Sequence, residues 1–258
     1  MRMPGTGKGP RELTPKPSMQ GLSSWGCQGV LFDYGRTLVT FEYPTEDLLE
    51  VIRDFRPRIE AALGVPAPEA EAIVQGVLKP LEKYIASMSE DEVEYMGVFR
   101  ETWARAGMQL PDGLLNDILD AEQRCWDLAV RLDPDALQVL SWLGAHGIKR
   151  GVCSNAPFPP EMMRRQLEAN GIGEVVDAVV FSSEVGRRKP APEVYRAALN
   201  AIAVEAPHAL FVGDRVREDY EGPRALGMRA VICTAHAEEP PPQGVSTIAS
   251  LSEVTQLL

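Results

Sequence analysis

Four separated stretches of this 258-residue chain set an acid, a lysine or a small polar residue beside short apolar runs. Asp33 follows Val30-Leu31-Phe32, with Gly35 and Thr37 just beyond it. Ser154-Asn155 follows Gly151-Val152-Cys153, Lys189-Pro190 ends a loop over 182–188, and Gly213-Asp214 follows Leu210-Phe211-Val212, with Asp219 further on. Each has an ordinary structural reading. A Ser-Asn pair caps turns and helices, a lysine before proline is common surface, and Gly-Asp after a strand is turn chemistry. Together they supply the parts that phosphoryl transfer needs, which are a nucleophile, charge neutralisation and donors to the equatorial oxygens. The Asp33 carboxylate can attack phosphorus to form an aspartyl-phosphate. Asp33 and Asp214 offer hard oxygen ligands suited to Mg²⁺. Lys189 can balance carboxylate and phosphate charge, and the Ser154 hydroxyl can bind a phosphate oxygen.

Such a set works only if strands deliver it to one edge, because ligands of open α/β sheets sit outside the carboxyl ends of the strands. Apolar runs at 150–153, 176–181, 209–212 and 230–233 read as strands, and they alternate with helical patterns at 160–169, 193–202 and 219–226. A short strand at 247–248 and a closing helix over 251–258 complete the pattern. It predicts an α/β fold, a Rossmann-like parallel sheet covered on both faces. Asp133-Pro134 is expected to cap and open the helix before the second strand.

Between the first acid and that helix, strand signals vanish. Helical spacing recurs through Leu48, Ile52 and Ile59, then Ile73, Val77 and Leu81, then Phe99 and Trp103, then Leu115 and Ile118. Pro57 is expected to kink or split the first of these helices, and Pro80 interrupts the second. The reading is an all-helical insert at 44–132 between core segments 28–43 and 133–258. Residues 1–27, rich in Gly, Pro, Ser and Lys, read as a disordered tail without a signal-peptide h-region. Gly5-Thr6-Gly7-Lys8-Gly9 lacks the preceding strand and the Ser or Thr of a phosphate loop.

Hydrophobic residues make up 45% of the chain, enough for a real core, and the formal net charge of -11 argues against nucleic acid as a partner. No apolar run approaches a membrane span. Four cysteines without a CxxC pair fit a reducing cytoplasm better than a disulfide framework or a zinc site.

The constellation resembles the haloacid dehalogenase-like (HAD) superfamily over roughly residues 28 to 258. Asp33-Tyr34-Gly35-Arg36-Thr37 is similar to its first motif, Ser154 to its second, Lys189-Pro190 to its third, and Gly213-Asp214 through Asp219 to its fourth. The insert resembles the C1 type of cap. The resemblance implies a mobile cap and Mg²⁺-dependent phosphoryl transfer and identifies no substrate; the first reading is a phosphatase or phosphotransferase acting on a small phosphorylated metabolite. It implies Asp33, Ser154 and Lys189 as catalytic residues, and Asp33, the Gly35 carbonyl, Asp214 and Asp219 around the metal. It places Tyr34, Ser154, Asn155 and Lys189 at the substrate.

One position departs from the family pattern. Its phosphatases carry a second Asp two residues after the nucleophile, which protonates the leaving group and then activates water. Glycine at position 35 cannot do this, so an acid from the insert, Glu46, Asp47, Glu92 or Glu94, is the candidate replacement. Arg36 stands where glycine is frequent and reads as solvated or salt-bridged. Other readings stay open: a low-turnover binding or regulatory module on the same fold, a dehalogenase, against which Gly213-Asp214 argues, and a phosphonatase-like reaction, which would need Lys79 or Lys83.

Overall fold

The computed structural model describes residues 25–86 and 89–258. The expected tail up to residue 24, with its glycine-rich stretch, lies outside them. Trp25 belongs to the folded part. Its indole N–H donates to the Leu257 carbonyl at 3.2 Å, and the Arg229 guanidinium lies over its ring at 4.2 Å. Trp25 and Cys27 thus pack with the fold ahead of the expected boundary at residue 28.

Strand β1 (Gly29–Phe32) is buried along its whole length. A short strand β2 (Val39–Thr40) follows and pairs antiparallel with β3 (Arg131–Leu132). The chain therefore leaves for the insert and returns from it through one small ladder. The other strands are β4 (Lys149–Ser154), β5 (Ala178–Phe181), β6 (Ala209–Gly213), β7 (Arg229–Cys233) and β8 (Thr247–Ile248). With β1 they form a six-stranded parallel sheet in the order β5-β4-β1-β6-β7-β8. Alternate residues of β1 face opposite sides, as strand geometry requires. Val30 and Phe32 join Val139, Leu140 and Leu167 on one face, while Leu31 joins Val194, Tyr195 and Ile202 on the other. Burial on both faces is why β1 reads as an unbroken apolar run rather than an alternating one.

The insert holds helices α1 (Thr45–Leu63), α2 (Ala70–Ile73), α3 (Lys79–Ile85), α4 (Tyr95–Arg105) and α5 (Asp112–Ala129). They close around a hydrophobic core of their own that includes Ile52, Phe99, Trp103, Leu115 and Ile118. Pro57 does not split α1, which runs through it. An internal proline costs about 3 kcal/mol. Leu48, Leu49, Ile52 and Ile59 are buried on either side of it, and each such burial is worth roughly 1.5–3 kcal/mol. Pro80 is accommodated differently. A π-turn over Val74–Leu78 widens the helix just before it, and Pro80 then sits in the first turn of α3, where its missing N–H matters least.

The core helices are α6 (Ala136–Ala145), α7 (Pro160–Ala169), α8 (Ile172–Val175), α9 (Ser182–Val185), α10 (Pro192–Ile202) and α11 (Gly222–Ala225). Helix α6 starts later than the Asp133-Pro134 signal implies. Asp133 forms a turn instead, its carboxylate accepting from the Asp135 N–H at 2.8 Å and pairing with His236 at 2.7 Å. The expected closing helix is a 3-10 turn, Leu251–Gln256.

Candidate active site

The register of the central strands sets the site. Phe32 of β1 is level with Val152 of β4 on one side and Val212 of β6 on the other. The next residues along these strands bring Asp33, Ser154 and Asp214 to one edge. Asp33 is held there by its backbone, whose N–H donates to the Val212 carbonyl at 2.9 Å.

Lys189 enters from the loop after α9 and is buried. Its ammonium donates to Asp33 Oδ1 and to Asp219 Oδ1, both at 2.7 Å. Burial opposes its charge, but Asp219 and Asp33 outweigh that and hold it well above the usual lysine range. Asp219, on the π-turn Val216–Glu221, turns its other oxygen to the backbone N–H groups of Asp214 (3.1 Å) and Arg215 (3.0 Å). One carboxylate thus fixes the loop after β6 and orients Lys189. Glycine is required at 213, since a Cβ there would lie 2.3 Å from the Asp219 side chain.

Asp33, Asp214 and Asp219 are all buried and each offers an oxygen, the three lying within 4.8 Å of one another. Burial, then the neighbouring Asp33 and Asp219, push the Asp214 carboxyl up to about 8. Lys189 bonds to Asp33 and Asp219 and leaves Asp214 without a cation of its own. An all-oxygen set with surplus negative charge suits a hard divalent ion.

The other expected residues divide. Ser154 lines the same cleft, a cavity of about 130 Å³. Asn155 also borders it, but its amide is committed elsewhere. It donates to the Lys189 carbonyl at 3.1 Å and accepts from the Lys189 N–H at 2.7 Å, so the side chain positions the lysine. Tyr34 turns away. Its ring is in the core, and its hydroxyl donates to Gln166 (3.0 Å) and accepts from Asn170 (2.8 Å), so the expectation of a substrate contact from this side chain is corrected. Arg36 pairs with Glu238 at 2.6 Å and lies over Phe41 while bordering the cleft.

The cleft lining includes none of the insert acids. Glu46 and Asp47 are exposed on α1, Glu94 caps α4 by accepting from the Gly97 N–H at 2.6 Å, and the Glu92 side chain is buried beside Arg188. The expected replacement for the acid at position 35 is therefore not at the cleft in this arrangement. Lys79 lies over the Tyr43 ring, and neither it nor Lys83 reaches the cleft. Two charged lining residues escape the sequence reading, Arg215 and Glu218. Both fall in the gap between Asp214 and Asp219, and a loop tied at both ends to one edge would have been the signal.

A parallel sheet with acids at its carboxyl edge and a helical insert after the first strand is the frame of a known class of hydrolases. Residues 27–227 match the model of the haloacid dehalogenase-like hydrolases, and the chain belongs to that family. It is 34% identical over 124 residues to a phosphoglycolate phosphatase of Rhodospirillum rubrum, a match spanning 48% of this chain and half of that protein. It is 30% identical over 171 residues to a phosphoserine phosphatase of Thermus thermophilus, covering 64% of this chain and 66% of the relative. Among solved structures, a 2-haloacid dehalogenase from Pseudomonas syringae pv. Tomato DC3000 superposes with a TM-score of 0.65, covering 90% of this chain and 97% of that one. At 19% identity that likeness shows the fold alone.

Proposed function

We propose that this hydrolase removes phosphate from a small phosphorylated metabolite through a phosphoryl group carried on Asp33. The observation that carries the reading is the Lys189 ammonium between Asp33 and Asp219, with Asp214 completing a buried three-carboxylate cluster. The relatives named as phosphatases support the same class of reaction.

An Asp33 oxygen attacks phosphorus as the phosphorus–ester oxygen bond breaks, and the departing alkoxide takes a proton from solvent. Water then attacks phosphorus, the Asp33–phosphorus bond breaks to restore the carboxylate, and the water's proton passes to solvent as inorganic phosphate leaves. Lys189 aims Asp33 through its hydrogen bond, Asp219 aims Lys189, Asn155 fixes the lysine backbone, and the Ser154 hydroxyl donates to a phosphate oxygen. Asp33 and Asp214, with the Gly35 carbonyl and Asp219 close by, would hold a Mg²⁺, which supplies neutralisation of the phosphoryl charge. The insert at 44–132 serves as a lid that contributes substrate contacts when it closes. A phosphate-release screen over sugar phosphates, acyl phosphates and nucleotides, with and without Mg²⁺, tests the reading. Mg²⁺-dependent release that Asp33→Asn abolishes supports it. Release that survives Asp33→Asn rejects it, and so does no release from any of these in the wild type.

A further inference from the structure

Two guanidinium groups at the cleft remain once the phosphoryl-transfer parts are assigned. Lys189 is committed to two carboxylates, and Arg217 pairs with Glu218 and with Glu90. Arg215 borders the pocket, yet its guanidinium has no ion-pair or hydrogen-bond partner among the described residues. Its backbone is nevertheless fixed, the N–H donating to Asp219 Oδ2 at 3.0 Å and the carbonyl accepting from the Asp219 N–H at 2.7 Å. The side chain on this fixed backbone is exposed at the cleft, close enough to Asp33 and Asp214 for them to favour its charge, and free to meet an anion that enters.

Arg36 stands at the same cleft beside Asp33. Its φ of 59° lies in the left-handed region, where glycine would sit without strain. An arginine is nevertheless kept there, over the Phe41 ring at 5.6 Å. Its carboxylate partner is Glu238, whose side chain is 57% exposed and so easily exchanged. With a divalent ion bound, Lys189 and that ion would balance the three clustered carboxylates, and Arg217 balances Glu218. Arg215, and Arg36 once released from Glu238, would then be positive charge open to an anion. The cavity of about 130 Å³ is well below the roughly 300–1,000 Å³ of sites for drug-sized ligands, so whatever they bind lies close to the phosphoester.

We propose that the substrate carries a second oxyanion near its phosphoester, a carboxylate or a further phosphate, and that Arg215 and Arg36 receive it, Arg36 giving up Glu238 in exchange. This rests on the phosphatase reading above and names the substrate class of that same site.

The test is calorimetric binding of two non-hydrolysable probes to the full chain with Mg²⁺. Phosphonoacetate carries the second anion, and methylphosphonate lacks it. Phosphonoacetate is expected to bind more tightly. Arg215→Gln and Arg36→Gly should each weaken it roughly tenfold to a hundredfold, the range for one charged hydrogen bond, while barely moving methylphosphonate. Arg36→Gly suits the backbone at φ 59°, and a melting curve confirms that both variants fold. Glu238→Gln removes the competitor and should tighten phosphonoacetate by about fivefold at most. Equal affinities for the two probes in the wild type, equal losses of both in the variants, or no binding of either probe overturns the proposal. Failure of the phosphatase reading looks different, as selective phosphonoacetate binding without phosphate release from any phosphoester.

Discussion

At Gly35 the cleft lacks the one carboxylate that would complete it. The backbone there is outside the left-handed region, and an added Cβ would approach the Phe41 ring at 3.2 Å, a contact that a small ring shift relieves. Gly35→Asp is therefore expected to fold and to raise turnover of alkyl phosphates by about 10²–10⁴-fold, the usual contribution of general acid–base catalysis. Acyl phosphates expel a carboxylate that needs little protonation, so they should gain far less. Paired kcat/KM measurements on both substrate types check this, and rapid alkyl-phosphate hydrolysis by the wild type would show that another group supplies the acid. Lys189→Met should be more severe, leaving buried carboxylates without their cation, at about 3–5 kcal/mol of stability for a broken buried pair. Denaturant melts measure it. Asp33 and Asp214 were legible because each follows an apolar run, and Lys189 because it stands before Pro190 at the end of a loop, in a fixed order with them. Tyr34 was misread because its partners, Gln166 and Asn170, lie far away in sequence, and the bonds of the Asn155 side chain to Lys189 were hidden for the same reason. No periodicity reports where a loop side chain points.

Among the elements, the insert is fastened to the core at another place besides the β2–β3 ladder. Asp91 bridges Arg187 in an antiparallel contact, the Arg188 N–H donates to the Glu90 carbonyl at 2.9 Å, and the Arg188 side chain donates to the Ile85 carbonyl at 2.5 Å. This clamp adjoins Lys189, so the insert and the lysine share one fastening. Arg188→Ala strands a buried carbonyl and should cost about 1–3 kcal/mol, read as a lower melting temperature and a lower kcat. The insert core also holds two acids. Burial keeps Glu122 well above its ordinary value of 4.5 and raises Glu82 to about 7. Below pH 4.5 both the folded and the unfolded chain keep these protons, and the groups cost nothing. Above it the unfolded chain releases protons that the folded chain retains, so stability falls by about 1.4 kcal/mol per pH unit for each group. For Glu82 the fall ends near pH 7, where the folded carboxyl itself ionises. Glu122→Gln should flatten this slope while leaving stability at pH 4 nearly unchanged, which melts across pH 4–8 will show. Helix positions were legible from apolar spacing alone, whereas the passage of α1 through Pro57 was not, because burial on both sides of the proline outweighs its local cost.

In the whole molecule, the fold class was legible from the alternation of apolar runs and helical patterns, but the strand order was not, since parallel neighbours are chosen by three-dimensional packing. That order matters most, because it levels Phe32 with Val152 and Val212 and so gathers the acids and Ser154 at one edge. The central claim is that this edge moves a phosphoryl group onto Asp33. With no carboxylate at position 35 to activate water, the aspartyl-phosphate should decay slowly enough to be caught. The most direct measurement is mass spectrometry of the peptide containing Asp33 after brief exposure to acetyl phosphate and Mg²⁺. A phosphoryl adduct on Asp33, absent without Mg²⁺ and absent in Asp33→Asn, is the expected result. An adduct on another residue, or phosphate release from acetyl phosphate at an undiminished rate in Asp33→Asn, would contradict it.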